Sequence, residues 1–354
     1  MSLRSLSFIL SMGISALNGI NAQQDSIVQA KIIDDGSQDA EKFYNQGIEY
    51  FRNKEYNSAI KSYDLAISLK PEFDKAYFNR GNTKFELKDY QGALSDLNTA
   101  LNISQQSEYY FSRGQVRSIL GHKGGAIEDY TSAITLNTGY SQAFYYRGVL
   151  KFESSEYKGA IEDFTEAIKF NTQYAYAYND RGSAKRQNDD LDGAISDYKK
   201  ALMINSDMPF TLNNLGSVQR KKGDFKAAIE SYTAAIKLKG DYFIAYNNRG
   251  SARIDAGDYK GAIDDFSKAI QLNGEYAFAY NNRATAKYKL KDYKGSEEDC
   301  TKAIELDANN GFAYLNRGIA RELLRNDAGA CEDWRKAVEL GVESARNYTG
   351  DCNK

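Results

Sequence analysis

A small residue returns along this chain at an almost constant interval: Gly47, Gly81, Gly114, Gly148, Gly182, Gly216, Gly250, Ala284 and Gly318. The step is 34 residues, shortened once to 33 between Gly81 and Gly114. A unit of that length is too small to bury its own apolar face and is stabilised by stacking on its neighbours. A chain built this way folds as an array, and arrays present long surfaces rather than enclosed pockets.

Other columns keep the same period. Ala59, Ala93, Ala126, Ala160, Ala194, Ala228, Ala262, Ser296 and Ala330 lie twelve residues after the first column, and alanines from Ala66 to Ala337 lie seven further on. Between these two columns stands a bulky side chain or its substitute: Tyr63, Leu97, Tyr130, Phe164, Tyr198, Tyr232, Phe266, Cys300 and Trp334. Apolar residues three or four apart predict two short amphipathic helices per unit. A glycine inside a helix costs about 1 kcal/mol relative to alanine. Eight repetitions of that cost make sense where a side chain would block a neighbouring helix.

These glycine, alanine and aromatic columns resemble the motif of the tetratricopeptide repeat family, recurring nine times across residues 40–340. The resemblance implies an all-α, right-handed superhelical solenoid of nine helix-turn-helix repeats with a C-terminal capping helix. Two departures stand out. Only Pro71 supplies the proline with which the family usually ends its second helix, and the residue before the glycine is mostly arginine where the family often has leucine.

Those arginines correlate with aspartates. Arg80, Arg113, Arg147, Arg181, Arg249, Arg283 and Arg317 are followed sixteen residues later by Asp96, Asp129, Asp163, Asp197, Asp265, Asp299 and Asp333. In the first and sixth repeats both are lost together, leaving Gln46 with Ser62 and Leu215 with Ser231. Paired loss points to a guanidinium–carboxylate strut within each repeat, rather than to a charged strip for a ligand. Asp89, Asp190, Asp224, Asp258, Asp292 and Asn326 recur where the second helix starts and suit N-caps. The lone histidine, His122, falls in that column and is expected to be a turn residue rather than a catalytic base.

The chain begins with signal-peptide anatomy over residues 1–22: Arg4, a short apolar run from Leu6 to Leu17, and a small residue at Ala22. Residues 23–39 have the composition of a flexible linker, and residues 341–354 are expected to form the C-terminal cap. The expected location is therefore exported, periplasmic or extracellular. An oxidising compartment would permit a disulfide between Cys331 and Cys352, which flank the expected bend at Leu340-Gly341 at similar distances. Free thiols are the alternative. Cys300 stands in a core column and is expected to be a buried apolar residue.

In the resembled family the first helices line the concave face. The column just before the arginine reads Asn45, Asn79, Ser112, Tyr146, Asp180, Asn214, Asn248, Asn282 and Asn316. A carboxamide offers a donor and an acceptor and can satisfy a peptide unit without reading its side chain. The column one residue earlier is aromatic at first (Tyr44, Phe78, Phe111, Tyr145) and then mostly amide (Asn179, Asn213, Asn247, Asn281, and Leu315). One groove with two chemistries follows as the expectation: aromatic anchors, then backbone capture. Against it stand two plainer possibilities, rings that merely pack between repeats and asparagines that are only solvated. The carboxylate clamp of relatives that bind chaperone tails is not expected, because these columns lack its lysines and arginines.

A balance of 46 basic and 48 acidic residues gives no reason to expect nucleic acid as a partner. No segment after the leader is long and apolar enough to span a membrane. Nothing resembles a nucleophile–base arrangement, a zinc-ligand spacing or a phosphate loop, so neither enzyme activity, a metal nor a cofactor is expected. The expected function is a scaffold holding an extended peptide segment of a partner protein. The alternative is a structural spacer or oligomerisation element without a peptide ligand. Carbohydrate binding through the aromatic half stays open, as does the oligomeric state.

Overall fold

A computed structural model of the protein describes residues 38–350 and 352. The expected leader, residues 1–22, lies outside the described residues, as does the expected linker up to residue 37. Among the described residues the regular structure is entirely helical. The chain divides into two compact units at Ala184 and Lys185.

The first unit contains α1 (Gln38–Arg52), α2 (Tyr56–Leu69), α3 (Asp74–Glu86), α4 (Tyr90–Ile103), α5 (Ser107–Ile119), α6 (Lys123–Leu136), α7 (Ser141–Glu153), α8 (Tyr157–Phe170) and most of α9 (Ala175–Gln187). The second continues with α10 (Leu191–Ile204), α11 (Pro209–Lys221), α12 (Phe225–Leu238), α13 (Phe243–Asp255), α14 (Tyr259–Leu272), α15 (Ala277–Lys289), α16 (Tyr293–Leu306), α17 (Gly311–Leu323) and α18 (Asp327–Glu339). A 3₁₀ turn at Glu343–Ala345 and a last short helix, α19 (Arg346–Thr349), close the described chain. Within each unit successive helices pair as tandem hairpins.

The glycine column exists because of the rings opposite it. A Cβ built on Gly47 would lie 2.5 Å from the Tyr63 ring, on Gly148 2.9 Å from Phe164, and on Gly250 2.8 Å from Phe266. These approaches are closer than any methyl group tolerates, so the ring fits against the facing helix only where that helix lacks a side chain. The exception follows the same rule. Where the ring is replaced by the smaller Cys300, the glycine is replaced by Ala284, and both are fully buried. Burial pushes the Cys300 thiol up to about 12, as expected for an inert core residue. The alanine columns are also fully buried, from Ala59 and Ala66 to Ala330 and Ala337.

Each second helix is started by its turn. Asp89, Asp190, Asp224, Asp258, Asp292 and Asn326 accept from the backbone N–H three residues on, as N-caps. His122 occupies the same position without a side-chain cap bond. The residue before each cap has positive φ. It is glycine at Gly121, Gly223 and Gly257 but carries a side chain at Lys54, Lys88, Ser155, Asp189, Lys291 and Arg325.

The arginine–aspartate struts are two-pronged. Arg80 holds Asp96 through Nε at 2.9 Å and Nη2 at 2.6 Å, and Arg113, Arg147, Arg249, Arg283 and Arg317 grip their aspartates in the same way. Arg181 donates to Thr165 and Asp197 pairs with Lys185. Each aspartate also meets a second cation four residues after the arginine, as in Lys84–Asp96, Lys151–Asp163, Arg253–Asp265 and Arg321–Asp333. The third arm of the arginine reaches back to the preceding repeat: Arg147 to Thr131, Arg249 to Thr233 and Arg283 to Ser267. The two exceptional repeats change all three positions together. In the sixth, Ser231 donates to Gln219 at 2.7 Å beside Leu215, and in the first, Gln46 contacts Tyr50 at 3.4 Å.

At the C-terminal end the sulfurs of Cys331 and Cys352 are bonded, with their Cα atoms 5.5 Å apart. Tyr348 lies over Trp334, ring centroids 5.2 Å apart, and Arg335 donates to the Cys352 carbonyl.

Candidate binding face

Within each unit the first helices of adjacent repeats lie side by side. Side chains one turn apart on such a helix share a face, so each residue type forms a stripe across neighbouring repeats.

In the first unit the aromatic stripe is interior. Tyr44, Phe78, Phe111 and Tyr145 are 8, 5, 6 and 8% exposed. Each packs against a ring at or near the start of the next repeat's first helix: Tyr44 on Phe73 at 4.8 Å, Phe78 on Tyr109 at 4.5 Å, Phe111 on Tyr140 at 4.9 Å and Tyr145 on Tyr174 at 4.7 Å. The expectation of exposed aromatic anchors is corrected here. The rings are consumed as fasteners between repeats and leave no face for a ligand. Their hydroxyls are tied in as well. Tyr44 Oη accepts from Asn79 Nδ2 at 3.0 Å, and Tyr145 Oη donates to Asp180 at 2.8 Å. Burial pushes the Tyr44 phenol up to about 12, with the Asn79 hydrogen bond opposing it. Asn79, expected to face a peptide, is itself buried, whereas Asn45 at the start of its column is half-buried.

In the second unit amides do the fastening. Asn248 Nδ2 donates to Asn213 Oδ1 at 3.0 Å, Asn282 Nδ2 to Asn247 Oδ1 at 2.9 Å, and Asn316 Nδ2 to Asn281 Oδ1 at 2.9 Å, each bond joining consecutive repeats. Asn213, Asn247 and Asn281 are buried beneath, so Asn213 and Asn247 act as supports rather than as ligand contacts. Asn214 is also buried, while Asn248, Asn282 and Asn316 remain half-buried at the surface. Asn248 and Asn282 each spend one N–H on the neighbour and keep a second, whereas Asn316 Nδ2 also makes a longer bond to Thr285 Oγ1 at 3.4 Å. The inter-repeat bond fixes each rotamer, so a peptide meeting the row would find donors already oriented.

One further column borders these rungs. Four residues before the asparagine stripe the sequence runs Glu41, Lys75, Glu108 and Gln142, then Tyr176, Phe210, Ile244, Phe278 and Phe312. Ile244 is buried, but Phe210, Phe278 and Phe312 are exposed. Each stands one turn from Asn214, Asn282 or Asn316 on the same face. Sequence reasoning missed this stripe, although the switch from charged to aromatic residues at a constant period was there to be found. Exposed rings beside half-satisfied amides give the second unit a surface of mixed apolar and hydrogen-bonding character, suited to a peptide's side chains and backbone together.

Tandem helical hairpins with such a face define a class, the helical-repeat scaffold for protein–protein interaction. Profiles of the tetratricopeptide repeat match residues 47–88, 74–107, 175–208, 213–280 and 277–310, together more than half of the chain. The chain belongs to the tetratricopeptide repeat family. Its relatives include tetratricopeptide repeat protein 6 of Homo sapiens, 33% identical over 97 residues, which are 27% of this chain and 19% of that protein. A STIP1 homolog of Dictyostelium discoideum is 35% identical over 83 residues, 23% of this chain and 14% of that protein. The chain thus spans about a fifth or less of these curated relatives. Two solved structures share the fold. The Cut9–Hcn1 assembly has a TM-score of 0.55 at 14% identity, over 88% of this chain and 75% of the other; PilF of Pseudomonas aeruginosa has 0.53 at 17% identity, over 60% and 97%. Among the described residues no helix is long and apolar enough to cross a membrane.

Proposed function

We propose that this protein is an exported scaffold that holds an extended segment of a partner protein against the face formed by α11, α13, α15 and α17. The observation that carries the proposal is the row Asn248, Asn282 and Asn316, each locked by a bond to the previous repeat yet still half-exposed. A peptide backbone has unpaired N–H and C=O groups along its length, and oriented carboxamides complement them without demanding a sequence. Phe210, Phe278 and Phe312 would add apolar contact, which usually contributes most of the binding energy. Export is supported by the leader-like residues 1–22 and by the bonded pair Cys331–Cys352, since such bonds persist in oxidising compartments. In this reading residues 23–37 tether the repeats, α1 already beginning at Gln38, and residues 341–354 cap them.

The test is a pool of random twelve-residue peptides applied to the parent protein and to the Asn248→Ser/Asn282→Ser/Asn316→Ser variant. Peptides retained by the parent and lost by a still-folded variant support the reading; equal retention overturns it. A structural spacer is the second reading, and one observation favours it. Every one of these asparagines already bonds within the protein, so the row would have a role without any ligand. A parent that retains no peptide at all supports that reading.

A further inference from the structure

The asparagine column contains one carboxylate, Asp180, on α9 in the first unit. Its oxygens accept from Tyr145 Oη at 2.8 Å and from Asn179 Nδ2 at 2.8 Å, both neutral donors. Among the described residues no lysine or arginine pairs with it. The strut aspartates of the same unit are different, for Asp96, Asp129 and Asp163 each hold two cations. Asp180 is nonetheless enclosed. Tyr145 packs at a tilt on Tyr174 at 4.7 Å and meets Tyr146 edge-on at 5.2 Å. Tyr176, exposed, lies one turn before Asp180 on the same face of α9. Burial raises Tyr174 well above the usual phenol value, with Tyr146, Asp180 and Tyr176 adding to the shift. Burial likewise raises the Asp180 carboxyl, with Tyr145 and Asn179 opposing. Asp180 as a whole residue is half-buried rather than sealed.

A half-buried carboxylate that bonds a tyrosine hydroxyl, with no cation paired to it among the described residues, is able to accept one. Tyrosine faces attract cations, and a charge-assisted bond to the carboxylate is stronger than the neutral bonds it now makes. We propose that Asp180 receives a lysine or arginine side chain of a partner protein, with Tyr146, Tyr174 and Tyr176 forming an aromatic collar around it. The inference rests on the peptide-scaffold reading and adds to it a contact on the first unit that takes a basic residue.

The test uses three acetylated, amidated nine-residue peptides in an alanine–serine background, identical except for a central lysine, arginine or norleucine, read by fluorescence anisotropy. The parent protein is expected to bind the lysine and arginine peptides about tenfold more tightly than the norleucine peptide. Asp180→Asn keeps the shape and restores the residue its own column prefers. It is expected to erase the preference without lowering the melting temperature. Tyr176→Ala, at an exposed ring, is expected to reduce the preference severalfold. Equal binding of all three peptides by the parent overturns this inference while leaving the scaffold reading intact. A preference that survives Asp180→Asn overturns it as well. If none of the three peptides binds, this inference falls and the peptide reading loses support with it.

Discussion

Two runs of the same scaffold position solve one problem with opposite chemistry. In the first unit the position holds Tyr44, Phe78, Phe111 and Tyr145, buried ring against ring. In the second it holds Asn213, Asn247 and Asn281, each accepting a hydrogen bond from the next repeat. Both are fasteners between repeats. They differ in what they leave over. A stacked aromatic pair gains its energy from burial and adds about 0.5–1.5 kcal/mol from ring geometry, with nothing left to offer a ligand. A hydrogen bond between side-chain amides contributes a net ~1 kcal/mol, and at Asn248 and Asn282 the donor keeps a spare N–H. The first unit is therefore fastened more strongly at this position, and the second keeps the more usable face.

The largest expected effect tests that ranking directly. Phe111→Ala removes a buried ring that touches Tyr130, Tyr140 and Tyr146, and should cost about 3–5 kcal/mol in denaturant unfolding. Asn247→Ala removes the acceptor of Asn282 and leaves that donor half-buried and unpaired, a loss of about 1–3 kcal/mol. Equal losses would break the comparison between ring and amide fastening. The Phe111 change should leave the peptide-facing row untouched, whereas the Asn247 change should loosen Asn282 and weaken peptide retention.

The smallest expected effect lies at Asp180, where the two chemistries meet in one residue. Its carboxyl is raised in the folded protein, so the unfolded chain ionises more readily. The resulting penalty is absent below the ordinary carboxylate value of ~4, appears as pH rises through the raised folded value, and is constant above it. Asp180→Asn should thus be slightly more stable than the parent at neutral pH, with the difference fading in acid. A thermal melt series from pH 3 to 8 measures it. A variant less stable at pH 7 would mean that Asp180 is a structural ion rather than an unpaid charge.

Much of this was legible before any coordinates. The pairing of Gly250 with Phe266, and of Ala284 with Cys300, is a volume rule that survives in the residue columns because each position sees the same neighbour in every repeat. The struts were readable because arginine and aspartate vanish together, but the third partner was not noticed. Tyr50 and Gln219 stand where Lys84, Arg253 and their equivalents complete the strut. The aromatic anchors were misread for a physical reason. Adjacent helix residues point about 100° apart, so a column next to a surface column lies near the border between surface and interior. Which side it falls on depends on how one repeat is rotated against the next. For the same reason Phe210, Phe278 and Phe312 went unremarked while the buried Tyr44 and Phe78 drew attention.

Taken alone, the order of residues determined the repeat length, the helix pairs, their caps and the identity of the tightly packed columns. All of these are local or repeat in an identical setting, and so leave a periodic trace. Only the tertiary structure decided which stripes are spent between repeats and which face outward, that Asn248, Asn282 and Asn316 are oriented by their neighbours, and that Asp180 bonds Tyr145 and Asn179 with no cation beside it among the described residues. Those properties arise from contacts between residues about 35 positions apart, whose geometry is set by the packing of one hairpin on the next.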